Sequence, residues 1–187
     1  INDRSRMGAY YTKEDITGYI ARNCIIPFLF DAVAGTASAR HFKPGGSVWK
    51  LLRASGDTYI HDAVKKGVDL PLPPGVAGGL EPDAGAPLRG RRAAWNAPAA
   101  EHYALPTEIW RETVARRRRC AALRQTIADG GIASVNDLVT HNLDLRRLAE
   151  DLLARTDDHL LIRHFYDALR RLTVLDPTCG SGAFLFA

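Results

Sequence analysis

Hydrophobic and polar positions recur with a helical period over most of the chain. Near the start, apolar residues lie three and four positions apart. They are Ile16, Tyr19, Ile20, Cys24 and Phe28. This spacing predicts a helix with one buried apolar face, with Thr12 as its N-cap. Pro27 should kink this helix or end its regular part near Asn23.

Helical patterns continue after this first segment. Ser47 can cap a short helix through Leu52, and a second short helix over 62–66 should stop at Gly67. Residues 70–98 are rich in proline and glycine, which predicts a long irregular loop. Order should return with Thr107 as the N-cap of a long helix that ends at Gly130 and Gly131. Three more helices are predicted over 136–142, 143–155 and 159–171.

The pattern changes only at the end of the chain. Leu172, Thr173, Val174 and Leu175 form a short apolar run that contains β-branched residues, which predicts a buried strand. An acidic residue, a Gly-x-Gly turn and a new apolar run follow. In this layout the glycines let the backbone approach a ligand closely, and the N–H groups of the next helix point toward the same place.

Composition narrows the class of protein. The chain has 187 residues, of which 46% are hydrophobic and 25% are charged, as in a soluble globular protein. No apolar stretch reaches the ~18 residues that a membrane span needs, so no membrane partner is expected. Cys24, Cys120 and Cys179 have no paired spacing, and the histidines have no metal-ligand spacing. We therefore expect a cytoplasmic protein without a disulfide or metal site.

The ten residues from Asp176 to Leu185 read Asp-Pro-Thr-Cys-Gly-Ser-Gly-Ala-Phe-Leu. This run resembles motif I of the class I DNA methyltransferases, in the form typical of adenine-N6 enzymes. A packing turn is the alternative, and a phosphate loop is disfavoured because no Gly-Lys-Ser/Thr follows. The resemblance implies that S-adenosyl-L-methionine is held by the following residues: Asp176, Pro177, Thr178, Cys179, Gly180, Ser181 and Gly182.

A second segment, Gly8-Ala9-Tyr10-Tyr11-Thr12, resembles motif X of the same family. There it lines the other side of the cofactor pocket, so Tyr10, Tyr11 and Thr12 become candidate cofactor contacts. An aromatic anchor followed by a helix cap is the alternative explanation. The motif order resembles that of enzymes in which the catalytic motif, Asn/Asp/Ser-Pro-Pro-aromatic, comes after motif I. The Pro73-Pro74 pair lacks both a polar neighbour and a ring, so no catalytic residue is assigned.

The resemblance implies a fold and a division of the chain. A mainly α-helical region would lead into the first strand of a truncated Rossmann-like α/β methyltransferase domain. Residues 1–35 would carry motif X and the first helix. Residues 36–172 would be a helical insertion with a Pro/Gly-rich loop near 70–100, and 173–187 would begin the methyltransferase domain. We expect both ends to be cuts and the 187-residue piece alone to be inactive.

The implied function is site-specific adenine-N6 methylation of double-stranded DNA, in restriction–modification or phage defence with its partner subunits. A non-catalytic helical DNA-binding or assembly module is the alternative, and a small-molecule or protein methyltransferase is a third. The net charge of +4 permits a nucleic-acid partner. Arg116–Arg119 is a candidate DNA contact, but successive helical residues turn by ~100°, so the four cannot meet one backbone. At least one should lie against a carboxylate such as Glu112 or Asp129, or along the core.

Overall fold

The computed structural model describes residues 12–80 and 87–176, together with Gly182 and Leu185. Its regular structure is helical. The α-helices are α1 (Glu14–Ala34), α2 (Ser47–Ala54), α3 (Asp62–Lys65), α4 (Pro74–Ala77), α5 (Leu88–Arg91), α6 (Trp110–Ala128), α7 (Val135–Thr140), α8 (Leu145–Arg155) and α9 (His159–Arg171). Two 3₁₀ helices cover Ala37–His41 and Ala93–Asn96.

The described residues group into two compact units. The terminal unit combines the residues up to Ala54 with those from Ile132 onward, and the middle unit is Ser55–Gly131. In the terminal unit, α1 packs against α7, α8, α9 and the first 3₁₀ helix. Phe30 lies at the centre of this packing, with its ring 5.5 Å from that of Phe42 and 5.9 Å from that of Phe165. Burial of these apolar side chains is what holds the helices together.

The middle unit has its own apolar cluster. Val76, Trp95, Trp110 and Val114 are buried together, and partly buried Tyr103 packs against them. The indole Nε1 of Trp95 donates to the carbonyl of Val76 at 3.0 Å, so the polar atom of the buried ring is satisfied. This cluster ties α4, the second 3₁₀ helix and α6 into one unit.

The predicted irregular loop over 70–98 is therefore only partly correct. Its described part contains α4, α5 and the second 3₁₀ helix, all short. Trp95 accounts for the regular structure of this segment, because its ring is buried in the core and Gly79 packs against the ring. A Cβ on Gly79 would come within 2.6 Å of the Trp95 Nε1 atom, so glycine permits this close approach.

The predicted strand over Leu172–Leu175, and with it the Rossmann-like fold class, is contradicted. Residues 12–80 and 87–176 contain no strand; the pairing between Pro98 and Ile109 is an isolated bridge. Leu175 is 87% exposed, and residues 172–176 have no regular structure. β-branched and aliphatic residues favour a strand only where a neighbouring strand completes the backbone hydrogen bonds, and no described segment does so here.

The first helix also departs from expectation. α1 begins at Glu14 after Lys13, so Thr12 is not its N-cap, and it continues through Pro27 to Ala34. The face predicted to be buried is largely exposed, with Phe28 at 53%, whereas Thr17, Phe30 and Val33 are buried. Helical spacing identifies an apolar face, but it does not say what covers that face.

By length and composition alone, α1 could cross a membrane. One such helix is weak evidence, because a core helix of a soluble protein passes the same test. The absence of a membrane partner stays a prediction.

Helix ends in the second half of the chain match the sequence pattern more closely. α9 has the predicted bounds, and Asp158 caps it by accepting from the Leu160 N–H at 3.0 Å. α6 instead begins at Trp110, and Thr107, its predicted N-cap, has a left-handed φ of 68°. The turn at Thr107 directly precedes Glu108, whose carboxylate pairs with Arg116 of α6.

Candidate functional site

The motif I residues are described only in part. Pro177, Thr178, Cys179, Gly180 and Ser181 lie outside the described residues. Asp176 is half-buried. Gly182 is buried with φ 80°, a conformation that favours glycine, and its carbonyl accepts from the Leu185 N–H at 2.9 Å. The described part of the run therefore contains a glycine-dependent turn.

The motif X residues give less structural information. Thr12 is exposed just before α1, and Tyr10 and Tyr11 lie outside the described residues. The prediction that these three residues face motif I across one cofactor pocket also lies outside them. Among the described residues, no group of three or more His, Cys, Asp or Glu side chains could hold a metal ion.

The arginine run on α6 divides into two different pairs. Arg116 is only 4% exposed and forms an ion pair with Glu108, with its Nε 2.9 Å from Oε1 and its Nη2 2.9 Å from Oε2. Its guanidinium also donates to three backbone carbonyls. These belong to Val64 at 3.2 Å, Lys66 at 2.6 Å and Tyr103 at 2.7 Å. Arg116 is thus a structural anchor, held by Glu108 and not by Glu112 or Asp129.

The carboxylate of Glu108 is well supported. Burial tends to raise the pKa of Glu108, but hydrogen bonds from Arg116 and from the Leu105 N–H outweigh it and hold this pKa below its usual value. Two neighbouring arginines are also engaged within the middle unit. Arg117 donates to the carbonyls of Gly67 and Leu70.

Arg124 bridges two carboxylates of the same unit. Its guanidinium lies 2.6 Å from Asp57 Oδ2 and 2.6 Å from Asp69 Oδ1. Arg118 and Arg119 are exposed, and their side chains make no hydrogen bond or ion pair with another residue of the described part. The positive charges that α6 presents to solvent are therefore fewer than its sequence suggests.

A basic groove lies in the middle unit near the start of α6. It has a volume of about 460 Å³ and is lined by Arg89, Arg92, Ala93, Trp95, Asn96 and Arg111. The guanidinium carbon of Arg92 lies 4.4 Å from the centre of the Trp95 ring, and Arg92 Nε donates to the Gly79 carbonyl at 3.1 Å. This groove was not predicted from the sequence. The signals for it were the cluster of Arg89, Arg91 and Arg92 and a single tryptophan within the same Pro/Gly-rich segment.

A Ser–His–Asp cluster lies in the terminal unit and was also not anticipated. His41 Nδ1 is 2.7 Å from Ser47 Oγ, and His41 Nε2 is 2.7 Å from Asp158 Oδ2. Because a carboxylate only accepts, Nε2 carries the proton and donates. Hydrogen bonds from His41 and Arg40 hold the pKa of Asp158 below its usual range. Since the other oxygen of Asp158 caps α9, the cluster joins the first 3₁₀ helix to the start of α9.

Comparison with known proteins adds nothing to this description, because no family model, curated protein or solved structure matches the chain.

Proposed function

We propose that this chain is the N-terminal part of an S-adenosylmethionine-dependent adenine-N6 DNA methyltransferase of a restriction–modification or phage-defence system. One observation carries the proposal: the run from Asp176 to Leu185 and its resemblance to motif I. The left-handed turn at Gly182 supports it, because such a turn is what a Gly-x-Gly cofactor loop requires.

Four motif I residues have a defined role in the proposal. Asp176 accepts a hydrogen bond from the ammonium group of the methionine part of the cofactor. Gly180 and Gly182 let the backbone pass close to the cofactor, since no Cβ intervenes. Cys179 is a small residue that fills the tight turn and does not act as a nucleophile. Tyr10, Tyr11 and Thr12 contribute the second wall of the pocket.

The methyl-transfer step itself needs little acid–base chemistry. The sulfonium of the cofactor already activates the methyl group, so catalysis depends mainly on positioning the adenine amino group in line with it. The target base must be flipped out of the duplex to reach that position. The 187 residues contain no Asn/Asp/Ser-Pro-Pro-aromatic segment, so the proposal assigns none of them to these contacts.

The test is methyl transfer by the gene product that contains this chain. The product is incubated with tritiated S-adenosylmethionine and plasmid DNA, and the label in DNA is counted. We expect transfer to DNA, and Asp176→Asn should raise the KM for S-adenosylmethionine at least ~10-fold, the factor that corresponds to ~1.4 kcal/mol of lost binding. Asp157→Asn is the matched control, because Asp157 is exposed and lies outside the motif.

The outcomes separate the hypotheses. Label in protein or in a small molecule, but not in DNA, would favour another class of methyltransferase. An unchanged KM in Asp176→Asn would remove the role of Asp176. No transfer to any acceptor would exclude the proposed activity for this protein.

A non-catalytic helical DNA-binding or assembly module is the second candidate. The specific observation in its favour is that the described residues form helices without a strand, with a basic groove in the middle unit. This candidate predicts DNA binding without transfer of label from the cofactor.

A further inference from the structure

We infer that the basic groove of the middle unit binds the sugar–phosphate backbone of double-stranded DNA. This inference deepens the proposed function, on which the choice of DNA as the partner rests. The groove gives the middle unit a role that is separate from the cofactor loop. It would hold the substrate by its phosphates, independently of base sequence.

The first support is the charge of the groove. Three of its six lining residues are arginines, and no carboxylate is among the described residues that line it. A guanidinium matches the geometry of a phosphate through two parallel hydrogen bonds, which makes arginine the preferred residue for phosphate recognition. The lining therefore fits an anionic partner.

The second support is the contrast with the other arginines of this unit. Arg116, Arg117 and Arg124 are engaged by carbonyls or carboxylates. Arg89 and Arg111 are exposed, and no residue of the described part forms an ion pair with either. Their charges are thus directed to solvent, where a partner can reach them.

The third support is the rigidity of the groove wall. Arg92 is fixed by the Gly79 carbonyl and by the face of Trp95, which is itself only 6% exposed. Arg111 directly follows Trp110, a buried residue of the same cluster. Since the side chain of Arg92 is already ordered, its contact with a phosphate loses less side-chain entropy than a contact from a free arginine would.

The shape of the surface favours a duplex backbone over a single strand. Single-stranded nucleic acids are bound by exposed aromatic rings on which bases stack. Here the ring of the groove, Trp95, is buried and covered by Arg92. Exposed Arg118 lies seven residues after Arg111 on α6, which places it ~10 Å along the helix axis. That distance equals about three base-pair rises along the axis of a duplex.

The test is the salt dependence of DNA binding by the full chain. A fluorescently labelled 20-base-pair duplex is titrated by anisotropy at several salt concentrations, with Arg89→Ala/Arg111→Ala compared with the parent. Each phosphate contact contributes about −0.9 to the slope of log K against log salt, so the double variant should lose ~1.8 from the slope. With three contacts, affinity should fall ~40-fold between 50 and 200 mM salt, and with one contact only ~4-fold.

Two further variants make the result specific. Lys50→Ala/Arg53→Ala removes the same charge from exposed positions of the terminal unit and should leave the slope unchanged. Arg89→Lys/Arg111→Lys keeps the charge and should keep most of the slope. Circular dichroism and thermal melts verify that each variant is folded.

Several results would overturn the inference. These are no duplex binding at 50 mM salt, tighter binding of a single strand than of the duplex, or an equal loss of slope in the Lys50→Ala/Arg53→Ala control. Failure of the proposed function is distinguishable: the gene product would then transfer no methyl group, while the groove variant still lost duplex affinity. Conversely, if the Arg89→Ala/Arg111→Ala variant of the gene product methylates DNA with an unchanged KM for DNA, the groove does not bind DNA, while the proposed function stands.

Discussion

Arg116 provides a direct test of the structure, because its charged side chain is buried. The perturbation is Arg116→Met, which keeps an apolar stem of similar length and removes the guanidinium. In the structure this group makes two hydrogen bonds to Glu108 and three to backbone carbonyls. The side chains of Arg116 and Glu108 are 5% and 14% exposed, so the remaining carboxylate would be largely shielded from water.

The expected loss is ~3–5 kcal/mol in the free energy of unfolding, the range for removing one partner of a buried ion pair. The assay is urea unfolding at pH 7, followed by tryptophan fluorescence, because Trp95 and Trp110 lie in the same unit. Arg118→Met is the control: it is the same substitution two positions later at an exposed site, and it should change stability by no more than ~0.5 kcal/mol.

The pH dependence of the stability tests whether Arg116 acts through the charge of Glu108. In the parent the pKa of Glu108 is lowered on folding, so this carboxylate contributes stability above its unfolded pKa that is lost as the pH falls through the folded value. Without Arg116, burial raises the folded pKa of Glu108 relative to the parent, opposed only by hydrogen bonds from the Leu105 N–H and the Thr113 hydroxyl. The loss in the free energy of unfolding caused by Arg116→Met should therefore become smaller at low pH. Adding Glu108→Gln to this variant should restore part of the lost stability. A cost equal to that of Arg118→Met, or one that does not change with pH, would show that Arg116 does not stabilise the protein through a buried ion pair with Glu108.

Two other predictions concern stability. Gly56→Ala and Gly67→Ala both force alanine into a left-handed φ, at 58° and 66°, which costs ~1–2 kcal/mol. Gly67→Ala should cost clearly more in thermal melts, because its Cβ would lie 2.6 Å from Tyr103 Cα, whereas Gly56 faces open space; equal losses would contradict the packing at Gly67. Asp158→Asn should lower Tm at pH 7, and its difference from the parent should disappear as the pH falls through the lowered pKa of Asp158. A Tm difference that persists at low pH would show that the charge of Asp158 does not hold His41.

Local signals made much of the helical structure predictable. The bounds of α9 follow from an apolar helical face and from Asp158, whose side chain caps the first turn. The end of α6 follows similarly from Gly130, which has a φ of 73°. These features depend on residues within a few positions of each other, so the sequence contains the information needed.

Non-local structure was not predictable in the same way. That four arginines on one helix must diverge follows from helix geometry, but the partner of Arg116 depends on the turn at Thr107, which positions Glu108. The strand predicted over 172–175 failed because a strand requires a second segment, and the exposed face of α1 was unexpected because periodicity does not specify a neighbour. The basic groove depends on Trp95, which is held in the core by its hydrogen bond to the Val76 carbonyl. The proline- and glycine-rich composition around Trp95 predicts only a loop.

We propose that the run from Asp176 to Leu185 belongs to an enzyme that methylates adenine in DNA. The most direct measurement identifies the methylated base. DNA treated with the gene product and isotopically labelled S-adenosylmethionine is digested to nucleosides, which are separated and identified by mass spectrometry. We expect label in N6-methyldeoxyadenosine, whereas label in a methylated cytosine, or unlabelled DNA, would exclude adenine methylation.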